Sequence, residues 1–530
     1  MTMRPSTLAT AALIGLTLLG CNMITGADQL VVDDELGQDG EDDADSSSDG
    51  SGASGAGVMT GGGTANGGST GEGAGGPVEA EGDATGYSVR EVALYQAVKS
   101  TVFSGGDAHA PTVSLVAGRP AVVRVFVDSS SPSGAPVTAR LTIGDDVLEE
   151  PVSGAMSSED DDYDSTVNFD VPAEMMQVGQ QWRVELVEEG TQPGSNPGAS
   201  TPLASLAMQT SHAVHITLIP VRYEADGSNR MPDTSQTQID RYRAYFMTLY
   251  PATDVTVSVG PTLPWSSTID ASGNGWDTLL NAVSQERTSA NVPFDEYYYG
   301  IFEPASSFNT FCSGGCVAGL GFIGEPGGEY SRAAIGLGYG GDMAAWTAVH
   351  ELGHNHGRPH SPCGGVSGAD PGFPHSGGAI GVWGMDIFGH QLVSPSYKDF
   401  MGYCDPAWIS DYVYEEVLSF MQDTGGAASW NVPEELRDQT WERVSIGGAD
   451  ADTPTWLEPV TLARPPMGAA KNVTVTDADG STRSMQGSFF KYDHLPGGVL
   501  FLKKDPARQL STINLSLDVA GVVKNVQLAR

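Results

Sequence analysis

The 530-residue sequence predicts a multidomain fold: a central α/β unit, with a mixed sheet and backing helices, flanked by N-terminal and C-terminal β-sandwich-like domains. Three observations predict it. Runs rich in β-branched residues, set between Gly, Pro and Ser turns, dominate both ends of the folded part. Strand and helix patterns alternate only between about residues 206 and 428. A Gly/Ser-rich acidic stretch holds these regions apart from the amino terminus.

At the amino terminus, Arg4 precedes an apolar run from Leu8 to Leu19 that is too short to span a bilayer and is ordered like a secretory signal. It ends Leu18-Leu19-Gly20-Cys21, which resembles a bacterial lipobox. That resemblance implies a signal peptide over residues 1–21, lipidation of Cys21, and export to the bacterial cell envelope. Asn22 in the next position points to the outer membrane. Membrane contact is then expected only through the anchor. Residues 22–86 contain 14 acidic residues, no Lys or Arg and no aromatics. Such a chain cannot bury enough apolar surface to fold, so a disordered tether with a span of roughly 45 Å is expected.

Residues 87–205 carry the strand patterns Val113–Val116, Ala121–Val127, Val137–Ile143 and Trp182–Val187. An immunoglobulin-like sandwich acting as a spacer is the expectation. Across 206–428 the order is strand His215–Val221, helix Gln238–Tyr250, strand Val255–Val259, helix Trp276–Glu286 and strand Tyr297–Phe302. Ser410 and Asp411 can cap a later helix through Gln422, with Val413, Val417, Phe420 and Met421 on its apolar face. Residues 429–530 show strand runs such as Val499–Leu502 and Ile513–Leu517, no periodic helix and no catalytic constellation, which predicts a small β domain.

The chemistry lies in His350-Glu351-Leu352-Gly353-His354-Asn355-His356-Gly357-Arg358-Pro359-His360, which reads H-E-x-x-H-x-x-G-x-x-H. One helical turn separates His350 from His354, so both rings reach one ion. Asp342 is a plausible N-cap, and Ala345, Val349 and Leu352 fall on the packed face. Gly357 can end the helix in a left-handed conformation and return the chain so that His360 becomes the third ligand. The fourth position stays open. A zinc ion held there acidifies its water, with Glu351 as general base. His356 points away from the ligand face, His375 and His390 take structural roles, and His109, His212, His215 and His494 receive none.

With these residues in place, the chain resembles the metzincin clan of zinc endopeptidases, whose signature is this long motif followed by a methionine turn. The turn falls at Asp399-Phe400-Met401-Gly402-Tyr403-Cys404. The resemblance implies that Met401 floors the zinc site and that Tyr403 approaches the metal and then the transition-state oxyanion. It also implies that Ala333–Gly338 is an edge strand on which extended substrate pairs. The loop Ser361–Lys398 departs from the clan's familiar members and leaves the subfamily unassigned.

Besides Cys21 there are four cysteines, Cys312, Cys316, Cys363 and Cys404, which in an exported protein can form two disulfides in three connectivities. Pairing Cys363 with Cys404 would tie the ligand loop to the methionine turn and leave Cys312 with Cys316. No cysteine lies between Cys21 and Cys312, so a propeptide cysteine switch is unavailable there.

The net charge of −40, and −27 from the 25 basic and 52 acidic residues of 87–530, repels nucleic acid and anionic headgroups. A protein or peptide substrate is the expected partner. Two readings remain: a lipid-anchored zinc endopeptidase acting on extracellular or envelope proteins, or a surface-displayed binding protein with a vestigial metal site. Glu351 beside three intact ligands favours the first, because a site freed from chemistry has no need of the base.

Overall fold

The computed structural model describes residues 81–154, 157–447, 453–519 and 522–530. The expected signal peptide, Cys21 and nearly all of the expected tether lie outside them. The molecule is multidomain and mostly β, and no described helix is long and apolar enough to cross a membrane.

Two antiparallel sheets form the N-terminal domain. One runs Asp107–Ala108, Lys99–Ser104, Tyr87–Tyr95, Ala121–Ser129, Val167–Val171, and the other runs Glu81–Asp83, Gln181–Glu189, Val137–Ile143, Asp146–Val152, with Ala204–Ser205 also on Gln181–Glu189. Buried and half-buried residues alternate strictly along Val137–Ile143, the two-residue period of a strand. Val123, Val125 and Val127 of the first sheet share one core with Leu141, Val184 and Leu186 of the second.

Three sequence expectations change here. Residues 81–86 do not belong to a disordered tether, because Glu81–Asp83 pairs with Gln181–Glu189 and Thr85 N donates to Glu188 Oε2 at 2.7 Å. Closing a sheet edge needs only main-chain groups, so an acidic stretch without aromatics can do it. Val113–Val116 is not a strand: Val116 N donates to Gln96 Oε1 and Val113 N to Ser100 Oγ, and Val113 and Val116 enter the core of the central unit. Nor is the domain a detached spacer. Val98 bridges Gly384, Lys99 N donates to Trp383 O, and Tyr95 and Phe126 pack on Met385 and Ile387. The sandwich therefore shapes the loop Ser361–Lys398.

The central unit holds a mixed sheet in the order Val255–Val259, Val214–Tyr223, Glu296–Phe302, Ala333–Leu337, Gly319–Gly321, and Leu263–Trp265 also pairs with Val214–Tyr223. All pairings are parallel except that of Gly319–Gly321. Five helices accompany it: α1 (Gln236–Leu249), α2 (Trp276–Ala290), the short α3 (Phe308–Phe311), α4 (Asp342–Asn355) and α5 (Asp411–Ala428). Tyr297, Tyr299 and Ile301 face α1 and α4, whereas Tyr298 and Phe302 face α2. Both faces are covered, as parallel strands require. The edge is Gly319–Gly321 rather than Ala333–Gly338, which lies one strand inside it. A three-residue strand with two glycines has no β-forming pattern to find.

The C-terminal domain is one antiparallel sheet of seven strands, Thr453–Leu462, Gln439–Gly447, Gly498–Lys503, Thr482–Lys491, Ala469–Asp477, Leu510–Val519, Val522–Ala529, not two facing sheets. Leu500 and Leu502 point into its own core, while Val499, Phe501 and Phe490 pack with Trp276, Leu279 and Val283 of α2. The second face is thus satisfied by the central unit, which removes the need for a second sheet.

Candidate metal centre

Helix α4 begins one residue after Gly341, whose φ of 96° suits glycine, so Asp342 is the first helical residue rather than the cap. Ala345, Val349 and Leu352 are buried in the core as expected, together with Trp346. Gly357 adopts φ 79°, and the chain then turns back to deliver His360. The spacing read from the sequence is realised.

His350, His354 and His360 are all nearly inaccessible. His350 Nδ1 lies 2.8 Å from Phe400 O, His354 Nδ1 2.6 Å from Arg358 O, and His360 Nδ1 2.8 Å from Ser367 O. A carbonyl only accepts, so each Nδ1 carries a proton and each Nε2 presents a lone pair. Burial holds all three imidazoles neutral, with the pKa of His354 lowered to about 4 and those of the other two well below the usual histidine value. Yet His350 Nε2 and His354 Nε2 face one another at 3.2 Å. Two lone pairs cannot share a hydrogen bond, and a cation between them removes the repulsion. Tetrahedral coordination with zinc–nitrogen bonds near 2.05 Å puts neighbouring nitrogens about 3.3 Å apart. The residues fit a metal ion.

Glu351 is buried beside this cluster, and a Cβ on Gly319 would collide with its carboxylate. Glycine in the edge strand is what leaves room for the carboxyl group. Met401 is fully buried beneath α4, where a Cβ on Gly353 would run into its sulfur. Tyr403 places its hydroxyl 3.1 Å from His360 Nε2. The disulfides are Cys363–Cys404, which joins the ligand loop to the methionine turn, and Cys312–Cys316.

Sequence reasoning missed His494. The four histidines His350, His354, His360 and His494 present ring nitrogens within 4.8 Å of one another, and Glu351, Asp493 and His494 form an overlapping group. His494 sits in the connection between Thr482–Lys491 and Gly498–Lys503, so the C-terminal domain does contribute to the site, contrary to expectation. His356, expected to turn away from the ligands, does so but is buried: its ring stacks on Tyr297 and its Nδ1 meets Leu352 O. His375 meets Asp411, and His390 meets Asp170 while stacking on Tyr163.

No protein-family model matches the chain, and no curated protein matches it. Among solved structures, one described as a beta-galactosidase from Bacteroides fragilis aligns at 9% identity over 84% of this chain and 73% of its own, with a TM-score of 0.14. That likeness carries no conclusion about fold or activity.

Asp399 anchors the methionine turn by accepting from Met401 N at 2.9 Å and from Ser410 N at 2.8 Å. Burial outweighs these donors and pushes its pKa up to about 6 from 3.8. The folded chain therefore favours the protonated form. Its contribution to stability is complete below pH 3.8 and is lost as pH rises through about 6. The shift corresponds to at most about 3 kcal/mol. Urea midpoints are expected to fall between about pH 4 and 7 and to fall less steeply in Asp399→Asn. Equal slopes would contradict this account.

Proposed function

We propose that the chain is a zinc-dependent endopeptidase, related to the metzincins by its ligand motif and methionine turn, and exported as a lipoprotein through Cys21. The observation that carries this reading is the convergence of three neutral Nε2 lone pairs beside a buried carboxylate. When bound, zinc supplies Lewis acidity, polarising the scissile carbonyl and lowering the pKa of a water in its open position. Glu351 takes the proton of the attacking water and returns it to the departing amine. The Tyr403 hydroxyl donates to the oxyanion as it forms.

A peptide substrate is supported by what already pairs at the Gly319–Gly321 edge. Ile323 N donates to Lys491 O at 2.9 Å, Asp493 N donates to Gly321 O at 3.2 Å, and Phe322 bridges Tyr492 antiparallel. An extended backbone fits this edge, in the manner of strand addition. The two disulfides accord with an exported chain acting on extracellular or envelope proteins.

Incubation of the purified protein with casein tests the reading. Cleavage is expected, to be lost on chelation and restored by zinc. Zinc-loaded wild type and His494→Ala proteins that both leave casein and a mixed peptide library intact sink it in favour of a binding protein with a vestigial site.

A further inference from the structure

We infer that His494, supplied by the C-terminal sheet, is a fourth nitrogen ligand of the metal centre, and that the connection carrying it holds the centre closed until it withdraws. The inference rests on the peptidase reading only where it speaks of substrate; the ligand assignment stands on geometry alone.

The ring of His494 is arranged like those of the other three. Its centroid lies 5.4 Å from that of His350, 5.3 Å from His354 and 4.8 Å from His360, against 4.8, 5.5 and 4.6 Å among the motif histidines themselves. His494 Nε2 lies 3.4 Å from His360 Nε2, close to a tetrahedral edge of about 3.3 Å. On its other side, Nδ1 lies 3.1 Å from Asp493 Oδ1, a carboxylate with no exposed surface. Glu351 Oε2 lies 3.8 Å from the same Nδ1, and carboxylates on this side favour the tautomer whose Nε2 keeps its lone pair for a metal. The Tyr403 ring stacks on the far face of His494 at 5.8 Å.

The backbone around His494 is fixed as well. Asp493 Oδ2 accepts from Gly321 N at 2.9 Å, so the residues that deliver the ligand also cover the edge on which a peptide would pair. The connection closes on Gly497 and Gly498, with φ of 108° and 154°, and a Cβ on Gly497 would strike Ile446 O. The neighbouring strands stay docked through Phe490, Val499 and Phe501. Opening the centre therefore requires Asp493–Pro496 to give up the Gly321 contact and the burial of Leu495 in the same core, while the strands on either side stay docked and the domain need not leave. Four protein nitrogens make a closed centre, whereas hydrolytic zinc sites keep one position open.

The test uses the full chain with cobalt in place of zinc and compares wild type with His494→Ala and with His494→Phe, which keeps a ring against Tyr403. The wild-type visible spectrum is expected to ignore added azide. Both variants should retain cobalt, shift the spectrum and bind azide about tenfold more tightly or better, because a competing ligand no longer holds the position. Casein cleavage should rise in His494→Ala. Equal azide affinity and coincident spectra in the three proteins would overturn the ligand assignment. A shifted spectrum with reduced cleavage would overturn the closed-state role, because His494 would then serve turnover. A shifted spectrum with no cleavage in any form supports the ligand assignment and defeats only the peptidase reading.

Discussion

Glu351→Gln is expected to lower peptide hydrolysis by about 10²–10⁴-fold while leaving the metal content unchanged. Gln has the shape of Glu and fits the space that Gly319 leaves, so packing between α4 and the edge strand persists. It cannot accept the water proton. The three ligand rings are oriented by Phe400, Arg358 and Ser367 carbonyls, none of which involves Glu351. Metal analysis alongside kcat/KM separates this outcome from that of a ligand variant, in which metal and activity disappear together. The comparison is best made in the His494→Ala background too, so that a closed resting site does not mask the loss. Wild-type kcat/KM in a metal-replete Glu351→Gln protein would remove Glu351 from the mechanism.

The parts of this site that were legible in sequence are those whose geometry is local. His350 and His354 are related by one helical turn, and His360 by a glycine whose left-handed conformation is a local property. Strand cores such as Val137–Ile143 and Val255–Val259 announce themselves because their side-chain period is two. His494 has no such relation: 134 residues separate it from His360, and it is the pairing of Lys491–Asp493 with Gly321–Ile323 that brings the two together. A lone histidine far from the motif has no spacing to read. The weak signal was its setting, an Asp-His pair just after a strand and just before Gly497-Gly498, which marks a turn carrying ligand-type residues. The edge strand was misplaced for a related reason. Gly319–Gly321 is selected by the carboxylate it must pass rather than by β propensity.

Arg119→Met is expected to destabilise the chain by about 3 kcal/mol or more, because each buried acceptor left without its charged donor costs about 1–3 kcal/mol. Arg119 is completely buried at the joint between the sandwich and the central unit, where burial also pulls its pKa down. Its guanidinium donates to Met247 O, Thr248 O and Ala252 O, and its Nε to Gln96 O. Met247 and Thr248 lie in the last turn of α1, whose carbonyls have no partner within the helix. A cation there also opposes the negative end of the helix dipole. Met preserves most of the side-chain volume, so the expected loss comes from stranded carbonyls rather than from a cavity. Gln96 in turn accepts from Val116 N and donates to Val116 O and Arg119 O, which couples the sandwich edge to the same point. With that joint weakened, the sandwich and the central unit are expected to unfold in separate urea transitions, and in wild type, with the joint intact, in transitions that lie closer together. Because Trp383 and Met385 of the ligand loop bond to Lys99 and Ala97, metal release should accompany the earlier transition. An unfolding free energy within about 0.5 kcal/mol of wild type, the scatter of an ordinary surface substitution, would show that the joint does not couple the two bodies.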